Sequence, residues 1–268
     1  MLKEAGITNY TFEASVLVEH FLNISRGDLY TKDNVQVSDE DVERLCDGVK
    51  RRISGEPLQY IAGMWEFYSL PFNVRPGVLI PRPETELLVD TALEELSRIS
   101  RPVVLDLCSG TGCIAVAIAK NRSGADVFAA DLYPSPLELI KENAELNDVK
   151  INIFTADALQ PPDVCVKFDM IVCNPPYIKT DDMADLQREV LREPATALDG
   201  GEDGLMFYRA VADNWRAVLK SGGRLAFEAG AGQFQDIVGI MTAVGFNNIR
   251  VLNDLSGIER VVVGSVDR

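Results

Sequence analysis

Asn174-Pro175-Pro176-Tyr177 follows the apolar run FDMIVC without a break. The run reads as a buried strand. The chain therefore sets one carboxamide, two rigid residues and one aromatic ring at a strand end. That set suits the NH2 of an amide or an aryl amine. The lone pair of such a nitrogen is delocalised into the neighbouring π system, so the nitrogen is a poor nucleophile. Two acceptors on its two hydrogens orient it and favour electron density on nitrogen. Asn174 offers a side-chain carbonyl and Pro175 a backbone carbonyl, and proline brings a fixed φ and no competing N–H. Tyr177 can pack on the planar group, its face favouring positive charge. The chemistry served is in-line methyl transfer from a sulfonium, accelerated by positioning and electrostatics. It needs no histidine base, because the methylated nitrogen is acidic enough to lose its proton to water. Read alone, the four residues are also a strand-ending turn.

A second constellation precedes it. The strand VVLDL runs into CSGTGCIA, in which Gly110, Gly112 and Ala115 match G-x-G-x-x-A ahead of a helix. Such glycines let the backbone approach a ligand at a helix N-terminus. Asp131 falls about 20 residues later, at the end of the next strand, where a carboxylate accepts hydrogen bonds from ribose hydroxyls. A dinucleotide or S-adenosylmethionine would meet these needs, since both carry adenosine. Asp106, at the strand-to-loop junction, favours the second: an acid there could hold a cationic amino group and would repel a pyrophosphate. Asp157, at the third strand end, is placed near the adenine, with Ala158 on the same wall. Asp157 reads equally well as a turn residue.

The elements that position these residues follow from pattern. From 103 onward strands and helices alternate, which predicts an α/β fold with a mostly parallel sheet covered on both faces and an antiparallel pair at its end. PRPETELLVDTALEELSRIS is a helix that Pro83 can start, with Glu84 and Glu86 in its first turn. The prolines of LYPSP should delay the helix after Asp131. QYIAGMWEFYSLPFNV is rich in aromatic and β-branched residues and reads as a hairpin. Residues 3 to 55 read as helices, with Ser38 as an N-cap and Gly55 as a stop. The parts are thus a helical domain at 1–56, a hairpin linker at 57–80 and the α/β domain at 81–268. The segment from Ile178 to Asp203 lacks periodicity and exceeds the usual connection. Its acids Glu189 and Glu193 suit a lid or a docking edge for a basic partner, or a solvated loop.

Composition narrows the function classes. Of 268 residues, 47% are hydrophobic, enough for a sizeable core. The net charge of −15 argues against unspecific nucleic-acid binding. Lys50, Arg51 and Arg52 sit at a helix end, where cations complement the dipole. Five cysteines without a C-x-x-C and a single histidine, His20, speak against a metal site and for reduced thiols. No apolar run approaches the ~20 residues of a membrane helix, and no signal-peptide pattern opens the chain. These features predict a cytoplasmic protein.

DLCSGTGCIAVAIA, DMIVCNPPYI and PRPETELLVD together resemble the protein-(glutamine-N5) methyltransferases of peptide chain release factors. GEPLQYIAG, EPATALDGGEDGL and the final GIERVVVG match that family as well, so the resemblance covers nearly the whole chain. It implies a seven-stranded, Rossmann-like class I S-adenosylmethionine-dependent methyltransferase domain behind a small helical domain that recognises the substrate. It implies that Cys108, Ser109, Gly110, Thr111, Gly112, Asp131, Ala158 and Asn174 border S-adenosylmethionine, with S-adenosylhomocysteine as product. Asn174, Pro175, Pro176 and Tyr177 would hold the glutamine of the release factor's Gly-Gly-Gln loop. Arg82, Pro83 and Glu84 would lie near the mouth of the site.

Three other functions compete. An adenine-N6 nucleic-acid methyltransferase would share the Asn-Pro-Pro-Tyr chemistry but needs a basic face, which the sequence lacks. An NAD-dependent oxidoreductase would leave Asn-Pro-Pro-Tyr unexplained. A silent binding module would leave the complete motif set without a purpose.

Overall fold

The structure, a computed structural model, describes residues 1–31 and 35–267. The parts of the helical reading at 32–34 and of the α/β reading at 268 lie outside the described residues. The chain opens with helices α1 (Tyr10–Leu22), α2 (Arg26–Thr31) and α3 (Asp39–Ile53). Ser38 starts α3: its hydroxyl accepts from the Asp41 N–H at 3.1 Å, as an N-cap should. At the other end the basic residues do more than complement the dipole. Arg51 pairs with Glu56, and Arg52 is buried between Glu13 and Glu189.

The next stretch departs from the expected hairpin. Residues 58–62 form a short helix, α4 (Leu58–Ala62), which ends at Gly63 with φ 69°. Leu58, Tyr60 and Ile61 are all buried, and the Tyr60 hydroxyl donates to the Val78 carbonyl at 2.6 Å. A short apolar run carries too little period to separate strand from helix. The hairpin itself is β1 (Met64–Phe67) and β2 (Leu70–Asn73), turned by Tyr68 and Ser69 at φ 52° and 58°. A tight 3-10 turn, Pro83–Thr85, then leads into α5 (Glu86–Leu96).

The α/β part runs β3 (Val103–Leu107), α6 (Cys113–Asn121), β4 (Asp126–Asp131), α7 (Pro134–Leu146), β5 (Asn152–Thr155), β6 (Phe168–Cys173), α8 (Met206–Asn214), β7 (Leu219–Glu228), α9 (Phe234–Ala243), β8 (Asn247–Asn253) and β9 (Glu259–Ser265). Its sheet has seven strands in the order β5-β4-β3-β6-β7-β9-β8, parallel except for β9. Helices cover both faces, as the alternation requires. One core joins α5 and α6 to the sheet; the other packs Tyr208, Trp215 and Phe227 on the opposite face. The prolines after Asp131 do not delay α7 as expected. Pro134 stands in its first turn, where the missing N–H is no loss. No helix among the described residues is long and apolar enough to cross a membrane.

Candidate active site

The strand order reverses between β3 and β6, and such a reversal opens a crevice over the strands' carboxyl ends. Leu107 and Cys173 are partners in register. The residues that follow them, Cys108 and Asn174, therefore begin two adjacent loops. One cavity spans both. Its lining includes Cys108, Ser109, Gly110, Thr111, Asp131, Asp157, Ala158, Asn174 and Pro176.

The glycine loop alternates into the left-handed region, with Cys108 at φ 61°, Gly110 at 57° and Gly112 at 80°. Glycine takes such angles freely, whereas Cys108 carries strain of about 1–2 kcal/mol. Gly112 is outside the lining and has a packing reason: an added Cβ would meet Ile140 at 3.1 Å. Gly110 N–H donates to Asp131 Oδ2 at 3.0 Å, and Tyr133 N–H donates to Oδ1 at 3.2 Å. Asp131 thus braces the loop and keeps lone pairs for a ligand in the cavity. Burial raises its carboxyl above the ordinary range, against the pull of the Gly110 and Tyr133 bonds. Asp157 Oδ1 accepts from the Leu159 N–H at 2.9 Å, so it caps a turn and lines the cavity at once. The Trp215 indole N–H holds the Ala158 carbonyl at 3.1 Å.

Asp106 corrects the expectation of direct reach. It is fully buried beneath the loop and outside the lining. Ser109 Oγ donates to its Oδ2 at 2.6 Å and the Ala115 N–H at 3.1 Å. The opposite oxygen, Oδ1, has no partner. Burial pushes this carboxyl up to about 7.

Asn174 turns its carboxamide nitrogen inward, where it donates to Thr85 Oγ1 at 3.3 Å. That leaves the oxygen for the cavity. Pro175 is buried and Tyr177 half-buried, and both stand beside the lining rather than in it. The turn is enclosed by glycines: a Cβ on Gly200 would lie 2.7 Å from Tyr177 Cα, and one on Gly204 would lie 2.5 Å from its carbonyl oxygen. Gln233 Nε2 donates to that same oxygen at 3.0 Å. Burial pushes the Tyr177 hydroxyl up to about 12, so the residue is a neutral phenol at ordinary pH.

Of the mouth residues, Arg82 lines the cavity, while Pro83 and Glu84 do not. The segment after the turn is largely exposed over residues 179–192 but is pinned to the fold at two acids. Glu193 is buried, ion-paired with Arg82, and accepts the Ile80 N–H at 3.0 Å. Glu189 pairs with Arg52 at 2.8 Å. Both acids are used inside the fold, so neither offers a docking edge. Sequence reading also missed Val78 to Pro81 as one wall, and Phe207 and Thr196 on another. The apolar run GVLIP was their available signal. It missed Asn143 too: this buried side chain donates to the Thr111 carbonyl at 2.9 Å and the Asn73 carbonyl at 3.1 Å, tying α7 to the glycine loop and hairpin.

Comparison with known proteins gives this site its relatives. Residues 1–63 match the family described as PrmC N-terminal domain, and residues 83–215 match the methyltransferase small domain. The release factor glutamine methyltransferase of Thermodesulfovibrio yellowstonii is 41% identical over 94% of this chain and 91% of its own. That of Geobacter sulfurreducens is 39% identical over 99% of this chain and 93% of its own. The chain belongs to the release factor glutamine methyltransferase family. Residues 64–82, between the two matched regions, supply the hairpin and the Val78–Arg82 wall. The hMettl16 catalytic domain, solved with a MAT2A 3'UTR hairpin, shares the fold at a TM-score of 0.60 and 14% identity, covering 88% of this chain and 84% of its own. At that identity the likeness concerns the fold alone.

Proposed function

We propose that this chain methylates the side-chain amide nitrogen, N5, of the glutamine in the Gly-Gly-Gln loop of peptide chain release factors, using S-adenosylmethionine. One observation carries the reading. The glycine loop with its carboxylate Asp131 and the carboxamide of Asn174 line a single cavity, so cofactor and acceptor would meet there.

The residues present fit S-adenosylmethionine. Asp131 has acceptor capacity for a ribose diol, and Leu132, Ala158, Leu159 and Phe207 offer apolar walls for adenine. When ionised, the unpartnered Asp106 Oδ1 beneath the loop is an acceptor that suits a nearby cation. When bound, S-adenosylmethionine supplies a methyl group on a sulfonium. The chain does the rest by positioning. Asn174 Oδ1 accepts one hydrogen of the glutamine amide and the Pro175 carbonyl accepts the other. Tyr177 bounds the planar group. The buried prolines hold both carbonyls in place. The proton released after transfer leaves to water. The helices of residues 1–56 would provide recognition of the release factor, and the protein would act in the cytoplasm.

The test is incubation with methyl-labelled S-adenosylmethionine and either a release factor or adenine-containing DNA. Label on the Gly-Gly-Gln glutamine supports the proposal, and label on adenine refutes it.

A further inference from the structure

Asn174 is flanked by two buried groups that lie far from it in sequence, Thr85 on the cavity wall and Glu228 outside it. The Asn174 carboxamide nitrogen donates to Thr85 Oγ1 at 3.3 Å. Cys173 pairs in register with Phe227, so Glu228, the last residue of β7, stands beside Asn174. Thr85 and Asn174 both stand close enough to the Glu228 carboxyl to pull it downward. Glu228 is 1% exposed and lies outside the cavity lining, and its Oε2 has no partner.

A carboxylate accepts hydrogen bonds and cannot donate them. Set against Asn174, it admits only one of the two carboxamide orientations, nitrogen inward and oxygen outward. The two orientations hardly differ in shape, so packing cannot choose between them. A flipped Asn174 would present NH2 to the incoming NH2, donor against donor. Fold stability does not explain an acid here. Burying a carboxylate with one oxygen unsatisfied is unfavourable, and a neutral side chain would avoid that.

We propose that Glu228, with Thr85, is a positioning residue that locks the Asn174 carboxamide with its oxygen toward the acceptor nitrogen. This rests on the role assigned above to Asn174. Burial raises the Glu228 carboxyl to about 7; the nearby Thr85 hydroxyl opposes this, the charge of Glu84 adds to it, and the charge of Arg260 and the nearby Asn174 carboxamide oppose it. The other titratable groups near it are Tyr177, Tyr208 and Cys113, all raised by burial and neutral. A protonated Glu228 could donate to Asn174 Oδ1, so the lock acts only in the ionised form.

The test compares wild type, Glu228→Gln and Thr85→Val in methyl transfer to a release factor and in S-adenosylmethionine affinity. Alongside, the side-chain NH2 signals of Asn174 are followed in 15N-labelled protein with no release factor present. Glu228→Gln should lower kcat by about 10–100-fold, as loss of an orienting partner does. KM and cofactor Kd should stay within about twofold, the acid limb of the kcat profile should flatten, and the Asn174 signals should move. Thr85→Val should repeat the pattern more weakly, and it carries the test if Glu228→Gln does not fold. Unchanged kcat, or a loss that tracks cofactor affinity, overturns the proposal. A wild type inactive on release factors refutes the assigned acceptor instead; the Asn174 signals then decide the lock alone, supporting it if they move and overturning it if they do not.

Discussion

Arg52 on α3 and Glu189, in the segment that follows the Asn-Pro-Pro-Tyr turn, meet at 2.8 Å. The Arg52 side chain is only 8% exposed and also forms a two-pronged pair with Glu13 at 2.5 and 3.2 Å. Arg188 and Arg192 of the same segment donate to the Ile53 and Ser54 carbonyls at the end of α3. The N-terminal helices are thus bolted to the segment that lies against the candidate active site.

That arrangement predicts a stability effect. Arg52→Ala strands two carboxylates, one of them largely buried, and should destabilise by on the order of 2–3 kcal/mol, less than a fully buried pair because Glu189 can resolvate. At about 2–4 °C per kcal/mol, Tm should fall by roughly 5–10 °C. Lysine cannot copy the two-pronged geometry, so Arg52→Lys should recover less than half of the loss. Thermal melts of the two variants would settle it; a Tm within 2 °C of wild type for the alanine variant, on the order of measurement scatter, contradicts the strut.

Asn174→Ala removes the one side-chain acceptor that faces the cavity from the β6 end. Loss of such an oriented polar group typically lowers kcat by about 10²–10³-fold. Cofactor affinity should drop far less, because Asp131 and the glycine loop are untouched. Single-turnover rates beside calorimetric Kd values separate the two effects, and a variant with wild-type turnover removes Asn174 from the mechanism.

How much of this could be read in advance depends on sequence separation. Asn174, Gly110 and Asp131 announce themselves because each sits at a strand end, and strand ends follow from local pattern. The same holds for the seven strands. Thr85 and Glu228 gave no such sign: each reaches Asn174 only once the sheet brings β6, β7 and the turn before α5 together. Arg52 read as a dipole-complementing residue, and its partners Glu13 and Glu189 emerge only from tertiary packing. Residues 58–62 misled for another reason. Leu-Gln-Tyr-Ile-Ala is strand-like in composition, yet too short for its period to speak, and burial of Leu58, Tyr60 and Ile61 settled it as a helix.

Asp131→Ala should act on binding rather than chemistry. It loses both oxygens proposed to accept from the ribose and also the brace on Gly110. Charge-assisted hydrogen bonds contribute about 1.5–3 kcal/mol each, so the S-adenosylmethionine Kd should rise by at least about tenfold. Asp131→Asn keeps one acceptor and should fall between. With saturating cofactor, kcat should recover to within about threefold of wild type, since the acceptor-side groups are intact. Unchanged affinity in the alanine variant takes the ribose role away from this residue.

Asp106 makes stability depend on pH in a direction opposite to that of an ion-paired surface acid. Its carboxyl is raised by burial to about 7 in the folded chain, against about 4 when unfolded. Between those values the folded chain holds the extra proton, so stability falls as pH rises through the window. The contribution of the neutral acid is fully present below about 4 and is lost as pH rises through about 7. Glu228 is raised to about 7 as well and shares the sign, which is why a difference between chains is the clean measurement. In Asp106→Asn the asparagine oxygen can take both bonds now received by Oδ2, from Ser109 and Ala115. Its nitrogen then occupies the place of the unpartnered Oδ1, and no charge is buried at any pH. The variant should therefore melt above wild type at pH 8 by several degrees, and the gap should close toward pH 5. Its cofactor affinity should be lower above about pH 7, where the ionised Oδ1 of wild type is an acceptor and the asparagine nitrogen is a donor. Calorimetric melts from pH 5 to 8.5 test the first part, and a gap that widens on acidification would show that the carboxyl is not held neutral by burial.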